Sequence, residues 1–223
     1  MTNEIFQKLL KSELAEVIVS KCFRVTDGNS LLSWSKNCRF AALTDLSFQD
    51  NVMECCSHNT LEVAILSNAS FSQGSANRVW KSLHGNLKFL GIGGSYGINC
   101  ATETLDLAEP PSTFPSKSHP QQLVVETTFV DDADLAALSS AFPGARFVDL
   151  CRDSIDSLED ALYTSGVNGT MRSALSTCHD SRNRTPLHIA CHTGDVRRAS
   201  WLLRHMRARY DLKDNKGATP LHR

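Results

Sequence analysis

The tetrapeptide Thr-Pro-Leu-His stands at Thr185 to His188 and again at Thr219 to His222, 34 residues further on. Its neighbours recur with it, because Asp180, Asn183 and Thr185 align with Asp214, Gly217 and Thr219. A fixed internal period of this length marks stacked repeats, in which a unit buries its apolar face only against the next one. Such a chain is organised around a recognition surface before a reaction centre.

Local chemistry gives the repeated segment a shape. Asp180-Ser-Arg-Asn183 reads as a turn, and Gly217 replaces Asn183 in the second copy. Thr185 is placed to cap a helix, with Pro186 at the first helical position, where a missing N–H costs nothing. Gly194 ends that helix, and Asp195 caps a second one over about Val196 to His205. The pattern from Thr185 to Gly194, followed by Leu202-Leu203, resembles the ankyrin repeat. The resemblance implies structural roles for Thr185 and His188, and it puts partner binding on the hairpin tips at Arg182, Arg184, Lys213 and Lys216. Two departures are visible: one residue beyond the usual 33-residue length, within Met206 to Asp211, and Arg204, Arg207 and Arg209 where the family has a glycine. One repeat is complete and a second begins, so further repeats are expected beyond Arg223.

Residues 1–165 carry a weaker repetition. Leu14-x-x-Val17-x-Val19-x-x-Cys22 is followed by seeds beginning at Leu43, Leu61, Leu87 and Leu123, with a possible sixth at Val148. Alternating apolar residues suit short strands, and later apolar groups (Leu31-Leu32, Val79-Trp80-Leu83, Leu135-Leu138) suit helices packed behind them. This resembles the cysteine-containing leucine-rich repeats; an ordinary α/β domain with Leu-rich strands is the alternative. The resemblance implies binding through the exposed strand residues Glu16, Ile18, Asp45, Ser47, Val63, Ile65, Phe89, Gln122, Val124 and Asp149. The seed at Leu43 lies only 18 residues before the one at Leu61, about ten short of a full unit. A Pro-rich stretch at 109–121 reads as an irregular insertion. The expected fold class is therefore α/β: an irregular leucine-rich-repeat solenoid (1–165), a linker (166–177) and an α-helical ankyrin segment (178–223).

Charge divides along the same line. From Asp180 onward ten Lys/Arg face four Asp/Glu, whereas the rest carries 13 against 20, for a net charge of -1. Two modules of opposite sign account for this, as does a chance cluster of arginines on one solvated helical face. The near-neutral total argues against a general nucleic-acid or membrane partner. Lacking a signal-like start or a long apolar run, the chain is expected in the cytoplasm or nucleus, with its eight scattered cysteines reduced.

Three constellations invite chemistry and have structural alternatives. Cys178, His179, His188, Cys191 and His192 include metal-ligand types, but His188 and Cys191 already have packing places in the repeat pattern. Gly91-Ile-Gly93-Gly94 looks like a phosphate loop yet lacks the Lys-Ser/Thr of a P-loop. Asp131, Asp132 and Asp134 form a carboxylate cluster, of which Asp132 and Asp134 are suited to cap a helix. The expectation is a non-catalytic protein–protein interaction scaffold or adaptor with protein partners, no cofactor and no small-molecule substrate. The leucine-rich resemblance adds the alternative of a ubiquitin-ligase substrate receptor, and the Cys/His cluster that of an enzyme or metal-binding protein.

Overall fold

The computed structural model describes residues 15–20, 38–48, 60–72, 76, 79–80, 83, 86–98 and 122–222. Within them lie eight strands: β1 (Glu16–Ser20), β2 (Phe40–Thr44), β3 (Ser47–Phe48), β4 (Val63–Ile65), β5 (Ser70–Phe71), β6 (Phe89–Gly91), β7 (Val124–Glu126) and β8 (Arg146–Val148). Five α-helices accompany them: α1 (Asp132–Ala141), between β7 and β8, then α2 (Ile155–Thr164), α3 (Gly169–Leu175), α4 (Pro186–Thr193) and α5 (Val196–Arg204). Six strands form one parallel sheet in the order β1-β2-β4-β6-β7-β8, and β3 pairs with β5 in a second short ladder.

Each main-sheet strand hydrogen-bonds to the next one in sequence. Aligned positions Glu16, Phe40, Val63, Phe89, Val124 and Arg146 are separated by 24, 23, 26, 35 and 22 residues. The register corrects the second seed. Ala41, not Leu46, aligns with Val17. The unit therefore begins five residues earlier than its leucines suggest, and the apparent shortfall between Leu43 and Leu61 disappears. The long step of 35 residues spans the Pro-rich stretch 109–121, which, like Leu31-Leu32, lies outside the described residues.

Strand alternation sends one row of side chains into a first core. Ala41, Ala64, Leu90 and Val125 point there with Leu43, Leu66 and Ile92. Val79, Trp80 and Leu83 close that core from behind, as does Leu138 of α1. Trp80 packs against Phe71 and Phe142 at centroid distances of 5.4 and 5.5 Å. Asp131 caps α1 by accepting from Asp134 N at 2.8 Å. The capping residue is thus Asp131, one position earlier than Asp132.

Past the strands the backbone repeats a left-handed residue: Asp45 (φ 60°), Asn68 (φ 57°), Gly94 (φ 72°) and Phe129 (φ 64°) occupy equivalent register positions. At each of the first three the amide continues the ladder: Asp45 N to Ser67 O, Asn68 N to Gly93 O and Gly94 N to Thr128 O, at 3.1, 2.9 and 2.7 Å. Four different residue types thus make one turn.

The opposite row of the sheet is buried as well. Ala42, Val63, Ile65, Phe89, Val124 and Val148 enter a second core with Leu158, Ala161 and Leu162 of α2 and Met171 and Leu175 of α3. The same cluster runs on into Leu187 and Ala190 of α4, Trp201 and Leu202 of α5, and Met206. Residues 166–177, expected to be a linker, include helix α3, whose Met171 and Leu175 are completely buried. Burying a side chain such as Phe89 or Ile65 contributes roughly 1.5–3 kcal/mol, so this second face is a structural core. No helix among the described residues is long and apolar enough to cross a membrane.

Candidate protein-interaction surfaces

The repeated hairpins are built by side chains. Asp180 Oδ1 accepts from Arg182 N and Arg184 N, each at 2.9 Å, and Asp214 Oδ1 accepts from Lys216 N and Ala218 N at the same distance. Asn183 and Gly217 take the left-handed conformation at φ 58° and 77°. Asn215 joins the two hairpins, donating from its backbone to Arg182 O at 3.0 Å and accepting from Asn183 Nδ2 at 2.6 Å. Thr185 caps α4 in a capping box with His188, and Gly194 ends the helix at φ 71°. His188 Nδ1 accepts from Thr185 N at 3.1 Å, which leaves the proton on Nε2, facing Ala218 O at 3.2 Å. One histidine thus closes its own helix and links it to the next copy. In that copy Thr219 and His222 make the same side-chain contact at 2.7 Å, but His222 is exposed.

The approach to the first hairpin is tied to the sheet. Asn68 accepts from His179 N at 2.9 Å and donates to Thr177 O at 3.3 Å. His179 faces Asp45 through Nε2 at 3.6 Å and Asp180 O through Nδ1 at 3.1 Å. With an acceptor at each ring nitrogen, the imidazolium is favoured. The Asp45 contact raises the His179 pKa against the opposing effect of burial. Burial pushes the Asp45 carboxyl up, but His179, Thr44 and Asn68 outweigh it and hold the group below its ordinary value.

Beside this seam lies Glu126, completely buried at the end of β7. It accepts from Gly93 N at 3.2 Å and Thr128 N at 2.9 Å. Burial nevertheless prevails, and its pKa is pushed up to about 7. A side chain on Gly93 would put its Cβ 2.9 Å from both carboxylate oxygens, so the glycine makes room for the acid. Gly94 takes φ 72° against Asn68 and His179. The glycine-rich segment therefore cradles protein groups: Gly93 N serves Glu126 and Gly94 N serves Thr128 O.

The cysteine and histidine constellation is dispersed among separate tasks. Cys178 is buried against Gly93, His179 serves the seam, His188 serves the hairpins, and His192 is exposed. Burial raises the Cys178 thiol well above its usual value and, with help from Asp149, pushes Cys151 up to about 12. A nucleophilic thiol requires the opposite shift.

The strand residues expected to bind partners divide sharply. Glu16, Ser47 and Gln122 are exposed, and Ile18 is 44% exposed. Val63, Ile65 and Phe89 are 0% exposed and Val124 3%, which corrects the expectation that they form an open surface: α2, α3 and the helices beyond them cover that row. Asp45 is half-buried in the seam with His179 and Asn68. Asp149 is half-buried and accepts from Cys151 N at 2.7 Å. Among the hairpin residues Arg182, Lys213 and Lys216 are exposed. Arg184 instead turns back to pair with Asp180 at 2.6 Å.

A surface missed in the sequence lies on α5. Val196 and Leu203 are 76% and 40% exposed, and Arg197 and Arg204 are exposed next to them. Ile155 of α2 forms the other wall of a shallow groove with Val196, Arg197, Ser200, Trp201, Arg204 and His205. The signal available was the i, i+7 spacing of Val196 and Leu203 alongside Arg197 and Arg204.

The ankyrin repeat family model matches residues 182–215, the segment that forms the first hairpin, α4, α5 and the start of the second hairpin. Neither the curated proteins nor the solved structures include a match to the chain. The match identifies a segment of a type that serves as a protein–protein interaction module.

Proposed function

We propose that this chain is a non-catalytic scaffold or adaptor that binds other proteins through its hairpin tips, and that its first module is an irregular, leucine-rich-repeat-like stack. The observation that carries the reading is the hairpin pair. Its internal polar groups are satisfied by Asp180, Asp214 and Asn215, which leaves Arg182, Lys213 and Lys216 exposed on a rigid frame. Pre-organised tips lose little conformational freedom on binding. Support for the first module comes from the sequential parallel strands and the left-handed residue repeated after them. A cytoplasmic or nuclear setting, with the scattered cysteines reduced, belongs to the same reading.

The test is crosslinking from Lys213 and Lys216 in cell extract, with the variant R182E, which reverses the neighbouring tip charge and keeps both lysines, as control. Wild type should give crosslinks from both lysines to the same captured proteins, and the variant should lose those proteins. If the same set is captured by the variant, the tips are not the binding surface and the reading fails.

A further inference from the structure

Successive hairpins of the ankyrin segment carry basic residues at matching positions. Arg182 aligns with Lys216 and His179 with Lys213, each pair 34 residues apart. Asn215 N donates to Arg182 O at 3.0 Å, which sets Lys216 beside Arg182 with Cα atoms within about 10 Å. Arg182, Lys213 and Lys216 are exposed, and none of the three forms an ion pair among the described residues. At the fourth corner His179 faces Asp45 at 3.6 Å, so the unopposed charge lies toward the second hairpin. The hairpin carboxylates are already taken. Arg184 offsets Asp180, Arg209 offsets Asp211, and Asp214 is buried under the amides of Lys216 and Ala218. Ser181, Asn183, Asn215 and Gly217 around the cations are exposed and offer no apolar side chain. The hairpins stand side by side, so a further unit stacked on the second lengthens this row and leaves it open.

We infer that the hairpin tips bind an acidic segment of a partner protein in extended form, laid across the hairpins with Asp or Glu at every second residue. The inference rests on the tip-binding reading and gives that surface a partner chemistry. Alternate residues of an extended chain share one face about 6.8 Å apart, a spacing that the long stems of Arg182 and Lys216 can meet from neighbouring hairpins. With no apolar side chain among the tips, charge pairing and hydrogen bonds supply the recognition, and an amphipathic helix has nothing to bury here. A basic segment is repelled by the same three charges. The rest of the chain, with 13 Lys/Arg against 20 Asp/Glu, repels a long polyanion such as a nucleic acid and favours a short one.

The probe is a labelled, end-blocked peptide of about eight residues alternating Thr and Glu, since Thr favours the extended form. Its counterparts carry Gln or Lys in place of Glu. Fluorescence anisotropy on the full chain at about 0.1 M salt should show binding of the Glu peptide alone, weakening as salt rises. R182E/K216E should weaken it at least about tenfold, and R182Q/K216Q by less. R197E/R204E makes the same change in net charge on α5 and should alter binding by less than about twofold. Far-UV circular dichroism and melting of each variant confirm the fold, and the exposed positions make its retention the expected result.

No binding of the Glu peptide, or equal binding by wild type and R182E/K216E, overturns the inference. So does an equal loss in R197E/R204E, which assigns the binding to net charge. A single-stranded oligonucleotide of equal charge that binds as tightly, with the same dependence on Arg182 and Lys216, assigns the row to nucleic acid and overturns it too. The crosslinks from Lys213 and Lys216 keep the two readings apart. If R182E abolishes them while no Glu peptide binds, the tips bind proteins of another chemistry and this inference alone fails.

Discussion

The parallel-sheet region and the ankyrin segment both repeat, but they join their units by different means. In the sheet the link is main chain. Asp45, Asn68 and Gly94 occupy one turn and pass one amide ladder along, although the third has no side chain at all. In the ankyrin segment side chains carry most of the link, beside one main-chain bond from Asn215 N to Arg182 O: Asp180 and Asp214 cradle the hairpins, and His188 reaches from one copy to Ala218 of the next. A main-chain link tolerates changes of residue type, whereas a side-chain link preserves them. The two regions nevertheless share the second core, which runs from Val63 and Phe89 to Leu187 and Trp201.

The sharpest way to break this comparison is Phe89→Ala. If the regions unfold as one unit, the variant should lose about 3–5 kcal/mol. Amide exchange across α4 should accelerate together with exchange in β6. Protection of α4 left unchanged would show that the ankyrin segment stands independently.

Next in size is the pH response of the seam. Glu126 is raised from 4.5 to about 7, so its folded-state preference for the proton is fully present below pH 4.5 and is lost as pH rises through 7. The resulting fall in stability amounts to ~3 kcal/mol. His179 is also raised, so its contribution likewise fades as pH rises above 6.5 through its folded value. Urea midpoints between pH 4.5 and 8 should fall steeply for wild type. Glu126→Gln should retain only the parts due to His179 and to Asp149, which burial also raises; an unchanged slope would remove Glu126 from the account.

The two copies of the ankyrin motif offer an internal control. His188→Ala removes the acceptor of Thr185 N and the donor to Ala218 O, and should cost about 2 kcal/mol. His222→Ala, at an exposed position, should cost no more than about 0.5 kcal/mol. Equal losses would contradict the linking role of His188. The smallest effect concerns Arg207, which adopts φ 53° after α5, in the stretch where ankyrin repeats carry glycine. Arg207→Gly should raise stability by up to about 1 kcal/mol, seen as a slightly higher melting temperature.

The same contrast explains what could be read in advance. Thr185, Asn183, Gly194 and Asp195 have the conformations and caps expected of them, because each acts on backbone within a few residues of itself. The strand period was legible too, but its register was not: Leu43 and Leu46 imitate a seed, and only pairing with β1 places the unit at Cys38. Exposure of Val63, Ile65, Phe89 and Val124 was misjudged because their cover comes from α2 and α3, helices with no repeated lettering and distant in sequence. Arg184 looked like a tip cation, and its pairing with Asp180 depends on the closed hairpin. Glu126 gave no signal of its own, since one Glu in a strand does not reveal what will bury it.

The covering of the sheet also has an order in time. Phe89 leaves the ribosome well before Trp201 and Leu202, which help close the core it joins. At a synthesis rate of roughly 5–20 residues per second, the apolar row waits on the order of ten seconds for its lid. During translation the nascent chain therefore displays Val63, Ile65 and Phe89 together, a temporary hydrophobic surface suited to a chaperone and absent from the finished protein.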